Sequence, residues 1–195
     1  MVRPMSFRKN EPGGLRENRG RRKAWVRASS LLAALCVVTL QFLPGPPKTN
    51  PPVVPERTIE ANLPVPAPVS SLLHRVCANC HSNETRWPWY ARIAPVSWAI
   101  ANDVNSARRV MNLSEWSSGP GANRTKAISW LTMACADVEA DLMPLPRYRL
   151  LHPEARLTDQ EKEMLCEWTR TAIAGLADQG RGGAAASAPR TPRGE

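Results

Sequence analysis

Apolar residues gather into separate blocks along this chain, and most blocks repeat at helical spacing. The first is an uncharged run from Ala28 to Leu43. Further on, Ser70 to Cys77 reads as a helix. Val96, Ile100, Val104, Ala107 and Met111 recur at steps of three and four, which marks one face of a second helix. Pro95 suits its first turn. Ile128, Leu131, Cys135, Val138 and Leu142 define a third. A fourth starts at Thr158, where Thr158 and Glu161 have capping-box spacing. It carries Met164, Leu165, Trp168 and Ile173, and Gly175 can end it. No strand-like alternation stands out, so the expected fold class is all-α.

The stretches between these blocks set domain boundaries. Residues 44–69 contain nine prolines, which predicts an extended, semi-rigid tether. Residues 178–195 are Gly, Ala, Pro and Arg with little to bury, a tail expected to be disordered. The folded domain is therefore expected at 70–177. Gly119-Pro120-Gly121 reads as a turn.

Charge changes the reading of the first block. The chain carries a net +9, but residues 1–27 hold nine basic against two acidic residues. The remainder holds 17 basic and 15 acidic residues, so the charge is local and no nucleic-acid partner is implied. Residues 1–23 read as a basic, disordered cytoplasmic tail, and 24–43 as a transmembrane signal anchor. The run is shorter than the roughly 20 residues a span needs. Trp25 at the interface and a snorkelling Arg27 extend it. Basic residues before the run and none just after put the N-terminus in the cytoplasm. In a Gram-negative bacterium the domain would then lie in the periplasm, on a single-pass inner-membrane anchor. A cleaved signal peptide lacks its small-residue site here, since Pro44 and Gly45 follow. A lipoprotein reading of Cys36 meets the bulky Leu35.

The candidate chemistry sits at Cys77-Ala78-Asn79-Cys80-His81. Cys-x-x-Cys-His is the spacing for c-type haem attachment. Two thiols bond the porphyrin edge, and the histidine next in sequence becomes an axial iron ligand. A zinc site would need a second donor pair, and a thioredoxin-like pair a strand-helix-strand setting. Neither is present in the sequence. One covalent haem c is the expected cofactor. Its second axial ligand is drawn from Met111, Met133, Met143, Met164, His74 and His152. Met143 is favoured because Pro144 and Pro146 stiffen its loop. His152 is the alternative. Cys135 and Cys166, in an oxidising compartment, are expected to form a disulfide. It would contribute about 3–4 kcal/mol in the chain-entropy picture. Trp87, Trp89, Tyr90 and Trp98 follow the motif and could pack on a porphyrin edge. Arg86 and Arg92 could pair with its propionates, although solvent is the favoured place for each.

The stretch Cys77 to Tyr90, with its Cys-x-x-Cys-His-Ser-Asn-x-Thr pattern, resembles the bacterial haem-binding domain family. The likeness continues through Ala94–Trp98, Asn112–Trp116, Met143–Tyr148 and His152–Leu157, ending near Trp168. The resemblance implies thioether attachment through Cys77 and Cys80, His81 as proximal ligand and Met143 as distal ligand. A typical member has Gly-Glu before its Met-Pro pair, where this chain has Asp141-Leu142. The expected architecture is a small cytochrome c-like helical domain around one covalent haem.

The function this implies is electron transfer with redox partner proteins at the membrane, rather than catalysis. A haem-based sensor or a peroxidase-like enzyme would need an open sixth position and a distal acid/base. With three histidines in the chain, no distal pair is evident. A haem-stabilised docking subunit is the third possibility.

Overall fold

A computed structural model describes residues 13–117 and 122–186. All regular structure among them is helical: α1 Gly13–Leu40, α2 Ile59–Asn62, α3 Ala67–Val76, α4 Ala78–His81, α5 Val96–Val110, α6 Arg124–Glu139, α7 Pro146–Leu151 and α8 Asp159–Ala186. Short 3-10 turns intervene at Pro55–Arg57, Trp89–Arg92, Leu113–Glu115 and Pro153–Ala155. The Gly119-Pro120-Gly121 turn and residues 1–12 lie outside the described residues.

Helix α3 forms as its spacing demands. Val69, Leu72, Leu73 and Val76 are buried on one stripe, and Pro66 and Pro68 sit at its start. Cys77 breaks the helix for a single residue before α4. Helices α6 and α8 pack together and are joined by a disulfide between Cys135 and Cys166, with Cα atoms 4.9 Å apart. Leu131 and Val138 of α6 and Leu165 of α8 belong to the same core. The Thr158–Glu161 box closes as its sequence indicates. The Thr158 N–H donates to Glu161 Oε2 at 2.8 Å, and the Glu161 N–H donates to Thr158 Oγ1 at 3.2 Å.

Three expectations are corrected. On α5 the buried positions are Ser97, Ala101 and Val104, continued by Met111, while Val96 is exposed. Small side chains win this face because α4 and the Trp89–Arg92 turn lie close against it. Gly175 does not end α8, which continues to Ala186. Stopping there would use a left-handed glycine, and no described glycine has positive φ. Helix α1 likewise begins at Gly13, inside the stretch read as unstructured.

A fourth correction concerns the proline-rich segment, which is not a free tether. Its backbone lies along the domain. Lys48 donates to the Ala91 carbonyl at 3.0 Å, Asn50 to that of Thr85 at 2.8 Å, and Asn105 to that of Pro47 at 3.0 Å. Arg108 is the main fastener. Its guanidinium donates to the Ser82 and Thr49 carbonyls, Asn50 Oδ1 and Thr85 Oγ1, at 2.6–2.9 Å. Further along, Ile59 and Leu63 enter the core, and the Trp168 indole donates to the Pro64 carbonyl. Proline supplies free carbonyls and no N–H, so the segment is held by donors from the domain, Asn105 and Arg108, and by its own side chains Lys48 and Asn50. The folded unit thus begins well before residue 70.

Within α1, Arg21–Leu40 is long and apolar enough to cross a membrane, and it is not buried against the domain.

Candidate functional site

The helices enclose a cavity of 320 Å³. Helices α3 and α4 and the residue joining them bring Leu73, Val76, Cys77, Cys80 and His81 to it. Helix α5 adds Asp103, Ala107 and Val110, followed by Met111. Helix α6 contributes Trp130, Met133 and Asp137. The segment after α6 closes it with Met143, Pro144 and Leu145, then Arg147 and Tyr148 of α7. Most of this lining is apolar. The structure therefore brings Cys77, Cys80, His81 and Met143 to one cavity, although Met143 is distant in sequence from the other three.

Local backbone explains the placement of the motif. The Cys80 and His81 N–H groups both donate to the Cys77 carbonyl, giving one compact turn. His81 Nδ1 donates to the Met111 carbonyl at 3.2 Å. That bond holds the proton on Nδ1, so the neutral ring carries its lone pair on Nε2. Burial lowers the His81 pKa, which favours this neutral form.

The two thiols are unbonded. Burial pushes Cys77 up to about 12, with the neighbouring Cys80 adding to the shift. Cys80 is pushed up to about 11, by burial first and then by the Asp103 carboxylate. Both are protonated thiols at neutral pH. A redox-active Cys-x-x-Cys pair needs the opposite, a stabilised thiolate. A metal site fares no better. The candidate donor cluster among the described residues is Cys135, Glu139 and Cys166, and its two sulfurs are consumed by the disulfide.

The residues after the motif form a buried polar web. Ser82 Oγ donates to the Ala78 carbonyl and accepts from the Glu84 N–H. The Asn83 N–H donates to Ser114 Oγ, and its side-chain oxygen accepts from Asn112. No buried side-chain nitrogen or oxygen among the described residues lacks a partner. This web, with Arg108, locks the motif to the proline-rich strand and to α5.

The Met143 loop is also held. Asp141 adopts φ 56°, and the Leu142 and Met143 N–H groups both donate to the Asp137 carbonyl. The Asp141 carboxylate accepts from Lys162 at 2.9 Å and from Arg149 at 3.3 Å. Beyond the loop, Arg147 forks onto both oxygens of Asp103 at 2.7 and 3.2 Å. Asn79, inside the Cys-x-x-Cys spacing, donates to the Tyr148 hydroxyl at 2.8 Å. These two contacts tie α7 to α5 and to the motif.

The structure also places the remaining candidate residues. His152 does not line the cavity. Its ring stacks on Tyr148 with centroids 4.1 Å apart, and Nε2 and Nδ1 face the Tyr90 hydroxyl and Glu154 at 2.8 and 2.9 Å. It supports Tyr148 rather than facing the cavity. His74 is exposed beside Glu60. Trp87, Trp89, Tyr90 and Trp98 are absent from the cavity wall. The Trp87 indole donates to Asn50 instead, and Trp98 covers Gly45. Arg86 and Arg92 are exposed away from the cavity. Met164 packs in the core, while Met111 and Met133 do reach the cavity. Trp130 and the Asp103–Arg147 pair were not foreseen. Trp130 carried no signal beyond its helical position, and Asp103 and Arg147 lie too far apart in sequence to read as partners.

Half-buried uncharged thiols, an imidazole with its lone pair on Nε2, a thioether and apolar walls around one cavity are a donor set that fits haem. The fold and cavity define an all-α haem protein. The description "haem-binding domain" matches residues 35–171, and the chain belongs to that family. No curated protein and no solved structure matches the chain.

Proposed function

We propose that this chain is a membrane-anchored c-type haem protein that transfers electrons on the outer face of a bacterial inner membrane. The observation that carries this reading is the single cavity shared by Cys77, Cys80, His81 and Met143. Cys77 and Cys80 would hold one haem c by thioether bonds, His81 would be the proximal ligand and Met143 the distal one. When bound, the haem supplies a one-electron iron couple.

The chain's own residues account for the rest. The Met111 carbonyl orients the His81 ring and keeps its proton on Nδ1. The Asp137 carbonyl and the Asp141 contacts hold the Met143 loop in one arrangement. Leu73, Val76, Trp130 and Leu165 give the cavity apolar walls, which would favour the less charged state of a bound iron. His81 and Met143, each held in place by these contacts, would hold the iron with little rearrangement of the chain. A sensor or peroxidase would need a distal acid or base. The cavity-lining carboxylates are Asp103, which is paired with Arg147, and Asp137.

Visible spectra of the reduced protein with and without carbon monoxide test the reading. Wild type should not change. Reduced Met143→Ala should bind carbon monoxide, its oxidised form should lose the methionine-to-iron charge-transfer band, and its potential should fall. Met133→Ala should do none of these. A wild type that binds carbon monoxide rapidly would favour the sensor or enzyme reading. An unchanged Met143→Ala would remove this residue from the iron.

A further inference from the structure

The geometry points to a second contact with the membrane, in which the segment Trp89–Val96 of the haem domain rests on the lipid surface beside the end of α1. The inference relies on reading α1 as a membrane span. It replaces the picture of a domain held away from the bilayer by a tether.

The argument starts where the apolar helix stops. Gln41 directly follows α1, and its side-chain amide makes a two-way contact with Ala94. Gln41 Nε2 donates to the Ala94 carbonyl at 3.2 Å, and the Ala94 N–H donates to Gln41 Oε1 at 3.0 Å. Just beyond, Trp98 lies so close over Gly45 that a Cβ there would meet the ring at 2.5 Å. Lys48 then donates to the Ala91 carbonyl. Three successive contacts therefore fasten residues 41–48 to residues 91–98. A chain this tightly fastened leaves no slack for the domain to stand off from the helix end.

The surface delivered to that position has interfacial chemistry. Trp89 is 74% exposed, Ile93 41% and Val96 49%, and all three lie on the segment that Gln41 grips. Phe42, at the helix end itself, is 83% exposed. Exposed Arg86 and Arg92 flank the apolar residues. Tryptophan is enriched at the level of lipid headgroups, and arginine pairs with anionic headgroup phosphates. Exposed apolar side chains scattered alone need no explanation. Here they are pinned within hydrogen-bonding reach of a helix fit to span a bilayer, which selects lipid as their partner.

The test uses the full chain, matured with haem, in nanodiscs of phosphatidylcholine with or without phosphatidylglycerol. The nanodiscs include a lipid with a photoactivatable group near its headgroup. After irradiation and trypsin digestion, lipid adducts are mapped by mass spectrometry. Adducts are expected on the peptide spanning 28–48 and also on those spanning 87–92 and 93–108. Trp89→Ser with Ile93→Ser should cut the second set by about fivefold or more while the first stays constant, because both altered side chains are exposed. Arg86→Gln with Arg92→Gln, which merges this region into one tryptic peptide spanning 76–108, should abolish any gain from phosphatidylglycerol on that peptide. Adducts confined to 28–48 would overturn the inference and leave the patch to a protein partner. An unlabelled 28–48 peptide would show instead that α1 is not in the membrane, and the inference would fall with that reading.

Discussion

Asp141 shows how a single backbone angle shapes the site. Its φ of 56° lies in the left-handed region, which glycine enters freely and aspartate tolerates better than most residues. The resemblance to the haem-binding family places glycine before the Met-Pro pair, and the angle gives the physical reason. This chain keeps the turn with aspartate and adds a carboxylate that Lys162 and Arg149 both engage. Asp141→Val should therefore be less stable than Asp141→Gly by about 1–2 kcal/mol in urea denaturation. The spectrum of Asp141→Gly should remain that of wild type. At the same scale, the ligand role proposed for His81 rests on its place directly after Cys80, a relation that the sequence alone carries. His152 and the tryptophans needed the structure to place them, because sequence neighbourhood does not say which side of a segment faces the cavity.

Helix α8 begins where its sequence says and ends where it does not. At its start, the Glu161 carboxylate is held below the usual range, chiefly by the Thr158 N–H, with the Thr158 hydroxyl and Arg75 adding to it. A carboxylate with a depressed folded pKa contributes stability above its unfolded pKa, and that contribution is lost as pH falls through the folded value. The stability gap between wild type and Glu161→Gln should hold at neutral pH and close below the ordinary glutamate range. Chemical denaturation across pH checks the sign. Further along, a Cβ at Gly175 would meet nothing within 4 Å. Gly175→Ala should raise stability by about 0.5–1 kcal/mol in thermal melts, since alanine restricts the unfolded chain and suits a helix interior. Capping is a local matter of three or four residues. Helix termination depended here on whether the chain had a reason to leave the helix, which one glycine does not supply.

Across the whole molecule, Arg108 carries the largest structural load outside the cavity. It bonds the segment after the haem motif and the proline-rich strand from a position on α5. Arg108→Lys keeps the charge but cannot reproduce the planar fork. It should lower stability by roughly 2–4 kcal/mol and raise amide exchange in residues 47–52. Unchanged exchange there would mean that the strand holds itself in place. The same strand shows how far composition misleads. Proline content predicts an extended backbone, and residues 44–54 carry no helix while Pro55–Arg57 and Ile59–Asn62 do, but composition says nothing about whether such a segment floats or docks.

The helical class, the four main helical blocks, the N-terminal apolar segment and the Cys-x-x-Cys-His motif all follow from the sequence, because each depends on spacing within a few residues. Tertiary structure alone decided which methionines reach the cavity, that Asp103 meets Arg147, and that the proline-rich strand belongs to the fold. Those facts join residues tens of positions apart, and only packing, acting through burial and paired polar groups, selects among the partners that local pattern leaves open.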